Sequence, residues 1–148
     1  MQLDNFNEIY VYFGIWNFEN YSHNDITTIF GIEPKISRNK GDKLPHSNKF
    51  ADENCWKMES PFSKENKFAP FEEHLNYILN LLESKKESLW PVCKDSNCEL
   101  SFVIYNYMSE ESYTPPLHFD IRYSKIAAYL NIALDIDIML LSDKEAKE

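Results

Sequence analysis

Two carboxylates lie inside an apolar run near the end of the chain, in the stretch ALDIDIMLL at residues 133–141. Asp135 and Asp137 are two positions apart, so in a β-strand their side chains point to the same face. His118 and Asp120 have the same spacing in LHFDI. Carboxylates and an imidazole gathered in one place could bind a hard cation or act as general acid and base. The sequence therefore contains one candidate cluster for catalysis or metal binding.

The sequence nevertheless favours another interpretation of these residues. Hard cations need several oxygen ligands around one point, whereas these side chains lie on flat extended segments that no loop is predicted to cover. A zinc site that joins Cys93 and Cys98 to a histidine is also disfavoured, because the usual two-residue spacing between cysteines is absent. No glycine-rich phosphate loop or nucleophile motif occurs. We therefore expect a protein without catalytic activity, bound metal or cofactor.

Strands and helices in alternation must position these residues. The stretches that read as strands are NEIYVYFGIWNF, CWKMES, ELSFVIYNYM and ALDIDIMLL. A short helix is predicted in SHNDITTIFGI, with Ser22 or Asn24 as its N-cap and Gly31 at its end, and RYSKIAAYLNI predicts another. The most regular helix is predicted from Pro70 to Ser84, with a turn after it. Residues 33–54 predict a long surface loop.

This order of elements predicts an α+β domain over residues 1–141, followed by a polar tail at 142–148. We expect a single sheet of about four strands with helices packed on one face and an open opposite face. In the last strand, the residues that alternate with the two aspartates should point into the core on the helix side: Leu134, Ile136, Ile138 and Leu140. The loop at 33–50 carries five basic and two acidic residues in a chain of net charge -9, so charge is segregated along the sequence.

The alternation of side chains along the predicted strands places aromatic and acidic residues together on the open face. Tyrosine and tryptophan supply rigid contact area at protein interfaces, and acidic groups steer a basic partner. The alternative is that these side chains only fill a half-exposed sheet through cross-strand pairs. The candidate partner-binding residues are Tyr10, Tyr12, Trp16, Tyr105, Tyr107, Asp120, Asp135 and Asp137.

Composition limits the partner and the compartment. With 15 basic and 24 acidic residues, the chain would repel a phosphate backbone, so a basic protein is a better partner than nucleic acid. No apolar stretch reaches the length of a membrane span, and no basic region precedes the first apolar run. Three cysteines are an odd number, which suits reduced thiols. We expect a cytoplasmic protein, with a homodimer that covers the open face as an alternative.

Several stretches together resemble a known bacterial family, domain of unknown function 4279. These stretches are the first strand, DITTIFGIEPK, CWKMES, PFEEHLNYILNLLES and LHFDIRYSKIAAYLNIALDIDI. The likeness covers nearly the whole chain and implies an α+β fold. It also implies a link to toxin and immunity loci, in which some members are encoded, and it supplies no catalytic residues.

These observations lead to one functional hypothesis and two alternatives. The hypothesis is a non-enzymatic cytoplasmic protein-binding domain, an immunity protein that neutralises a cognate basic, nuclease-like toxin by masking its active site. The acidic and aromatic surface follows from the residues, whereas the toxin follows from the resemblance. The first alternative is a small ligand- or metal-binding domain or enzyme that uses His118, Asp120, Asp135 and Asp137. The second is an accessory domain that binds a housekeeping protein.

Overall fold

The fold is an open, mixed five-stranded sheet with helices on one side. The computed structural model describes residues 7–65, 68–108 and 115–142. The elements in chain order are β1 (Asn7–Trp16), α1 (His23–Phe30), β2 (Ile36–Arg38), β3 (Cys55–Glu59), α2 (Phe62–Glu65), α3 (Phe71–Lys94), β4 (Asn97–Met108), α4 (Ile121–Leu130) and β5 (Ile132–Ser142). The predicted α+β class, with one open sheet, is confirmed. Of the predicted polar tail, residue 142 ends β5 and residues 143–148 lie outside the described residues.

The strands are arranged in the order β2-β3-β1-β4-β5. All neighbouring pairs are antiparallel except β4 and β5, which are parallel. The sheet has five strands rather than about four because β2 forms inside the segment predicted as a loop, with Ile36 opposite Lys57 of β3. A strand of three residues is too short for an alternation of apolar and polar positions to reveal it.

The capping residues of α1 act as the sequence predicts. The Asp25 amide donates to Ser22 Oγ at 3.1 Å, and the Ser22 amide donates to Asp25 Oδ2 at 2.8 Å. This reciprocal capping box satisfies amides that the first helical turn leaves without partners. Gly31 then ends the helix with φ of 68°, in the left-handed region that glycine adopts without steric cost.

Helix α3 is longer than predicted, since it continues to Lys94 instead of ending near Ser84. The prediction treated Pro91 as part of a turn, because an interior proline removes one backbone donor and disturbs the preceding helical turn. Leu89 and Val92, however, extend the buried stripe of the helix, and their burial offsets that cost. Within the described ranges, no helix combines the length and the apolar character that crossing a bilayer requires.

The core lies between the sheet and the helices. On β1, the residues that face the helices have no solvent-exposed surface: Ile9, Val11, Phe13 and Ile15. Trp56 of β3 stacks on Phe30 of α1 with ring centroids 4.8 Å apart, and its Nε1 donates to Thr27 Oγ1 at 3.0 Å. Trp56 and Met58 of β3 point inward, and both are fully buried.

Helix α4 forms the crossover that makes β4 and β5 parallel. Asp120 caps its amino-terminal end and Asn131, with φ of 55°, caps its carboxyl-terminal end. Ile126 and Leu130 of α4 are buried, but the outer part of β5 is not covered to the same extent. Alternation places Leu134, Ile138 and Leu140 on the helix side as predicted, yet they are 40%, 48% and 64% exposed. The expectation that these three side chains enter the core is therefore wrong, because β5 is an edge strand.

Candidate partner-binding face

The open face of the sheet carries most of the predicted partner-binding residues. The pairing register sets Tyr12 opposite Ser101 and Ser101 opposite Asp135, so these positions on β1, β4 and β5 share one side. Residues two apart along each strand share it as well. The predicted residues that lie on this open face are Tyr10, Tyr12, Trp16, Tyr105, Tyr107, Asp135 and Asp137. The two aspartates and the aromatic residues are thus on the side of the sheet opposite the buried core.

Asp120 does not belong to this face. Its carboxylate caps α4, where Oδ1 accepts from the Arg122 amide at 2.9 Å and from the Tyr123 amide at 3.3 Å. The prediction assumed that side chains alternate between two faces in the segment before α4, as they do in a strand. That segment begins with Pro115 and Pro116, and residues 115–120 form no strand. Asp120 therefore stabilises the first turn of a helix on the covered side.

The proposed cluster of His118, Asp120, Asp135 and Asp137 is consequently divided between the two sides of the sheet. His118 and Asp120 line a cavity of about 360 Å³ together with Ile9 of the core side. Asp135 and Asp137 lie on the opposite face. In the part of the chain that the structure describes, no group of three or more histidine, cysteine, aspartate or glutamate side chains is arranged to hold a metal ion.

The thiols and the buried histidine do not assemble into a zinc site either. Cys55, Cys93 and Cys98 are free and buried. The contact between the thiols of Cys93 and Cys98, together with burial, raises the pKa of Cys93. His74 instead approaches Ser60, with Nδ1 at 2.9 Å from Oγ. Such a contact could join a nucleophile to a base, but both side chains have no exposed surface, which leaves no access for a substrate.

A shallow depression of about 380 Å³ lies on the open face. We name it the tyrosine basin; it is lined by Glu8, Tyr10, Tyr12, Val103, Tyr105, Tyr107 and Leu141. The rings of Tyr10 and Tyr105 meet edge to face with centroids 5.9 Å apart. The open face is therefore concave where β1 and β4 carry their tyrosines.

Glu8 holds two of the tyrosine hydroxyls in place. Tyr10 donates to Glu8 Oε2 at 2.9 Å and Tyr107 donates to Glu8 Oε1 at 2.6 Å. Burial, followed by the bond to Glu8, raises the pKa of Tyr10 to about 12. The bond to Glu8, followed by burial, raises the pKa of Tyr107 to about 12. Both hydroxyls therefore stay protonated at neutral pH, and their oxygens retain lone pairs that can accept hydrogen bonds.

Carboxylates form an acidic area beside the basin. Burial and then the charge of Asp135 raise the pKa of Glu99, while Lys57 opposes the shift and Asp137 adds to it. Asp135 and Asp137 are exposed, and neither makes a hydrogen bond or an ion pair within the described residues. The acidic area, which we define as Glu99, Asp135 and Asp137, thus carries negative charge that the described part of the chain only partly compensates.

The β3 side of the open face holds two of the protein's own cations over aromatic rings, one of which, Tyr12, also lines the basin. Lys57 Nζ lies 4.6 Å from the ring centroid of Tyr12 and 5.8 Å from that of Trp16. The Trp16 ring folds back over Gly14, where a Cβ atom would collide with it. Lys35, from the predicted basic loop, forms an ion pair with Glu59 and lies 5.4 Å from the Tyr12 ring centroid. The basic loop therefore contributes charge to one end of the open face.

Sequence reasoning missed three polar residues of this face: Glu8, Lys57 and Glu99. Glu8 lies two positions before Tyr10 on β1, and Glu99 lies on the same side of β4 as Tyr105, whereas β3, which carries Lys57, held no predicted binding residue. The alternation alone could have placed Glu8 on the open face. Its contact with Tyr107, 99 positions away, depends on the pairing of β1 with β4, which the sequence does not specify.

Comparison with known proteins defines the family. The model of the family named domain of unknown function 4279 matches residues 7–141, and the chain belongs to this family. No curated protein and no solved structure matched the chain.

Proposed function

We propose that this protein is a non-enzymatic protein-binding domain that captures a basic partner with its open face. The observation that supports this most directly is the coincidence of the tyrosine basin and the acidic area on the side opposite the helices. Tyrosine and tryptophan are among the residues that contribute most energy at protein interfaces. Partly compensated carboxylates beside them would attract a basic surface and exclude an acidic one.

The mechanism that we propose is electrostatic attraction followed by contact of aromatic side chains. Asp135 and Asp137 are exposed, so they would act mainly on the association rate and on its dependence on salt. The tyrosines would then supply the contact area that slows dissociation. No bond in the partner is made or broken in this scheme.

We further propose that the partner is a basic, nuclease-like toxin and that the protein acts as its immunity protein in the cytoplasm. A nuclease binds its substrate through a positively charged cleft, because nucleic acids carry one negative charge per phosphate. An acidic face that covers such a cleft would exclude the nucleic acid. The basic character of the partner rests on the open face, whereas the toxin rests only on what the family resemblance implies.

The experiment that tests the proposed function is co-expression with the product of the adjacent reading frame, followed by co-purification and measurement of affinity against salt. A double variant, Asp135→Asn with Asp137→Asn, should weaken binding about 10-fold at low salt, equivalent to ~1.4 kcal/mol. It should also flatten the salt dependence. The matched control removes the same charge from the helix side, through Glu73→Gln with Glu87→Gln, and should change little. An Asp135/Asp137 double variant that binds as tightly as the wild type at both low and moderate salt would contradict the proposed surface.

One observation supports a second candidate function, the binding of a small ligand on the helix side. The cavity that His118 and Asp120 line has an apolar wall that includes Phe71 and Leu75, which is typical of ligand sites. A divalent-cation series monitored by thermal melting tests the metal-dependent form of this alternative, since a ligand that binds the folded state raises the melting temperature. A cation that stabilises the protein at micromolar concentration would favour it over the protein-binding proposal.

A further inference from the structure

The tyrosine basin has features that suit a positively charged, planar group. Its wall includes the faces and edges of tyrosine rings, and its lining includes one carboxylate, Glu8. The face of an aromatic ring attracts a cation through the ring quadrupole. The protein already uses this attraction on the same face, where Lys57 lies 4.6 Å from the Tyr12 ring centroid.

The hydroxyl arrangement makes the basin a hydrogen-bond acceptor. Tyr10 and Tyr107 each donate their hydroxyl proton to Glu8, at 2.9 Å and 2.6 Å. A hydroxyl that has donated its proton still offers lone pairs, so a ligand that brings N–H donors matches these two oxygens. An anion would meet Glu8 and the acidic area instead, and a purely apolar ligand would leave the oxygens without partners.

We propose that the tyrosine basin binds the guanidinium group of an arginine side chain presented by the basic partner protein. A guanidinium group is planar, stacks on aromatic rings and is less strongly hydrated than an ammonium group. It can lie against the ring of Tyr105 while its N–H groups donate to Tyr10 and Tyr107. Arginine is also enriched at the energetic centres of protein interfaces. This inference rests on the proposed function, because it names the side chain that the open face recognises.

The basin and the acidic area would then have different tasks. Asp135 and Asp137 do not line the basin, so they would attract a basic surface of any composition. Tyr10 and Tyr105 would select arginine over other side chains, because the basin supplies stacking and hydrogen-bond acceptors together. The two contributions can be separated by substitution.

The test uses the full-length protein and three short peptides that differ at one central position. The probe is an acetylated, amidated Gly-Gly-Arg-Gly-Gly peptide, compared with peptides that carry lysine or citrulline at the centre. Citrulline has the shape of arginine without its charge. Protein-observed NMR titration at millimolar peptide should shift the signals of Tyr10, Tyr105 and Tyr107. The citrulline peptide should bind at least about 10-fold more weakly than the arginine peptide, or ~1.4 kcal/mol.

Variants then assign the binding to the rings. Tyr105→Leu should weaken arginine binding about 10-fold, whereas Tyr105→Phe keeps the ring and should retain it. Tyr129→Leu is the matched control, because Tyr129 is an exposed tyrosine on α4. Thermal melts of each variant verify that the fold is intact. Equal binding of the arginine and citrulline peptides, an absence of shifts at the basin, or an unchanged affinity of a folded Tyr105→Leu protein would overturn the inference.

The two proposals fail in different ways. Capture of a basic protein that is lost in the Asp135/Asp137 double variant but unaffected by Tyr105→Leu would support the proposed function and overturn the arginine site. Arginine-selective binding in the basin without capture of any basic protein would support the site and contradict the proposed function.

Discussion

The buried histidine of α3 predicts a loss of stability in mild acid. The side chain of His74 has no exposed surface, and its Nε2 has no hydrogen-bond partner within the described residues. Burial lowers the pKa of His74 from 6.5 to about 4. In the unfolded chain the imidazole binds a proton near its ordinary pKa, so the unfolded state gains protons before the folded state does. Stability that is fully present above about pH 6.5 is therefore lost as the pH falls toward about 4.

The size of this loss follows from the shift in pKa. One pKa unit corresponds to about 1.4 kcal/mol, which gives an upper limit of roughly 3 kcal/mol for the complete transition. Because the folded-state pKa is about 4, only part of this loss occurs above about pH 5, so we expect the free energy of unfolding to fall by about 1–2 kcal/mol between about pH 7 and about pH 5. With a typical slope for urea unfolding, the midpoint should fall by about 0.5–1 M.

Two variants separate His74 from the other titrating groups. His74→Asn places an amide where Nδ1 contacts Ser60 and cannot titrate, so the acid-induced loss should shrink by the same 1–2 kcal/mol or so. His46→Asn removes an exposed histidine at a position with φ of 55°, which asparagine tolerates, and should leave the pH dependence unchanged. The assay is urea denaturation at both pH values, with NMR titration of the imidazole signals. A His74 signal that titrates near pH 6.5, or equal pH dependence in the wild-type and His74→Asn proteins, would refute this reasoning.

Two further predictions concern the acidic area and the edge of the sheet. The Asp135→Asn/Asp137→Asn protein should melt at a higher temperature than the wild type at low salt, because like charges on a sheet face destabilise the fold by about 0.2–1 kcal/mol. This corresponds to a few degrees at most. Differential scanning calorimetry should show that the difference vanishes at high salt, and a lower melting temperature of the variant at low salt would contradict the prediction. Ile138→Lys should reduce self-association at high protein concentration, because β5 is an 11-residue edge strand on which Ile138 is 48% exposed. Light scattering measures this effect, and equal scattering of variant and wild type would show that this edge does not self-associate.

The faces of the sheet were predictable because alternation is a local property. In β1, alternate residues have no exposed surface, as the pattern requires: Ile9, Val11, Phe13 and Ile15. Tyr10 and Tyr12, which lie between them, are partly exposed. The same period gave the correct side for Asp135 and Asp137. Alternation cannot be extended through a segment that is not a strand, and for this reason the position of Asp120 was wrong.

Features that depend on distant pairing were not predictable. Burial of His74 depends on its contact with Ser60, and its position in the first turn of α3 gives no indication of this. The parallel pairing of β4 with β5 sets Glu99 near Asp135. These two residues are distant in the sequence, and the order of the strands is not visible in their composition. The extension of α3 past Pro91 required the burial of Leu89 and Val92, which is a tertiary effect.

The distribution of polar groups between the two sides of the sheet supports our proposal of recognition instead of catalysis. On the covered side, the Ser60–His74 contact is sealed from solvent and Asp120 is engaged as a helix cap, so both groups serve the fold. On the open side, Glu8 orients two hydroxyls while Asp135 and Asp137 remain exposed to solvent. Acid–base chemistry needs groups of differing pKa within reach of one substrate atom, whereas recognition needs rings and charges spread over a surface. The open face meets the second requirement, and a basic partner would remove the repulsion among its carboxylates upon binding.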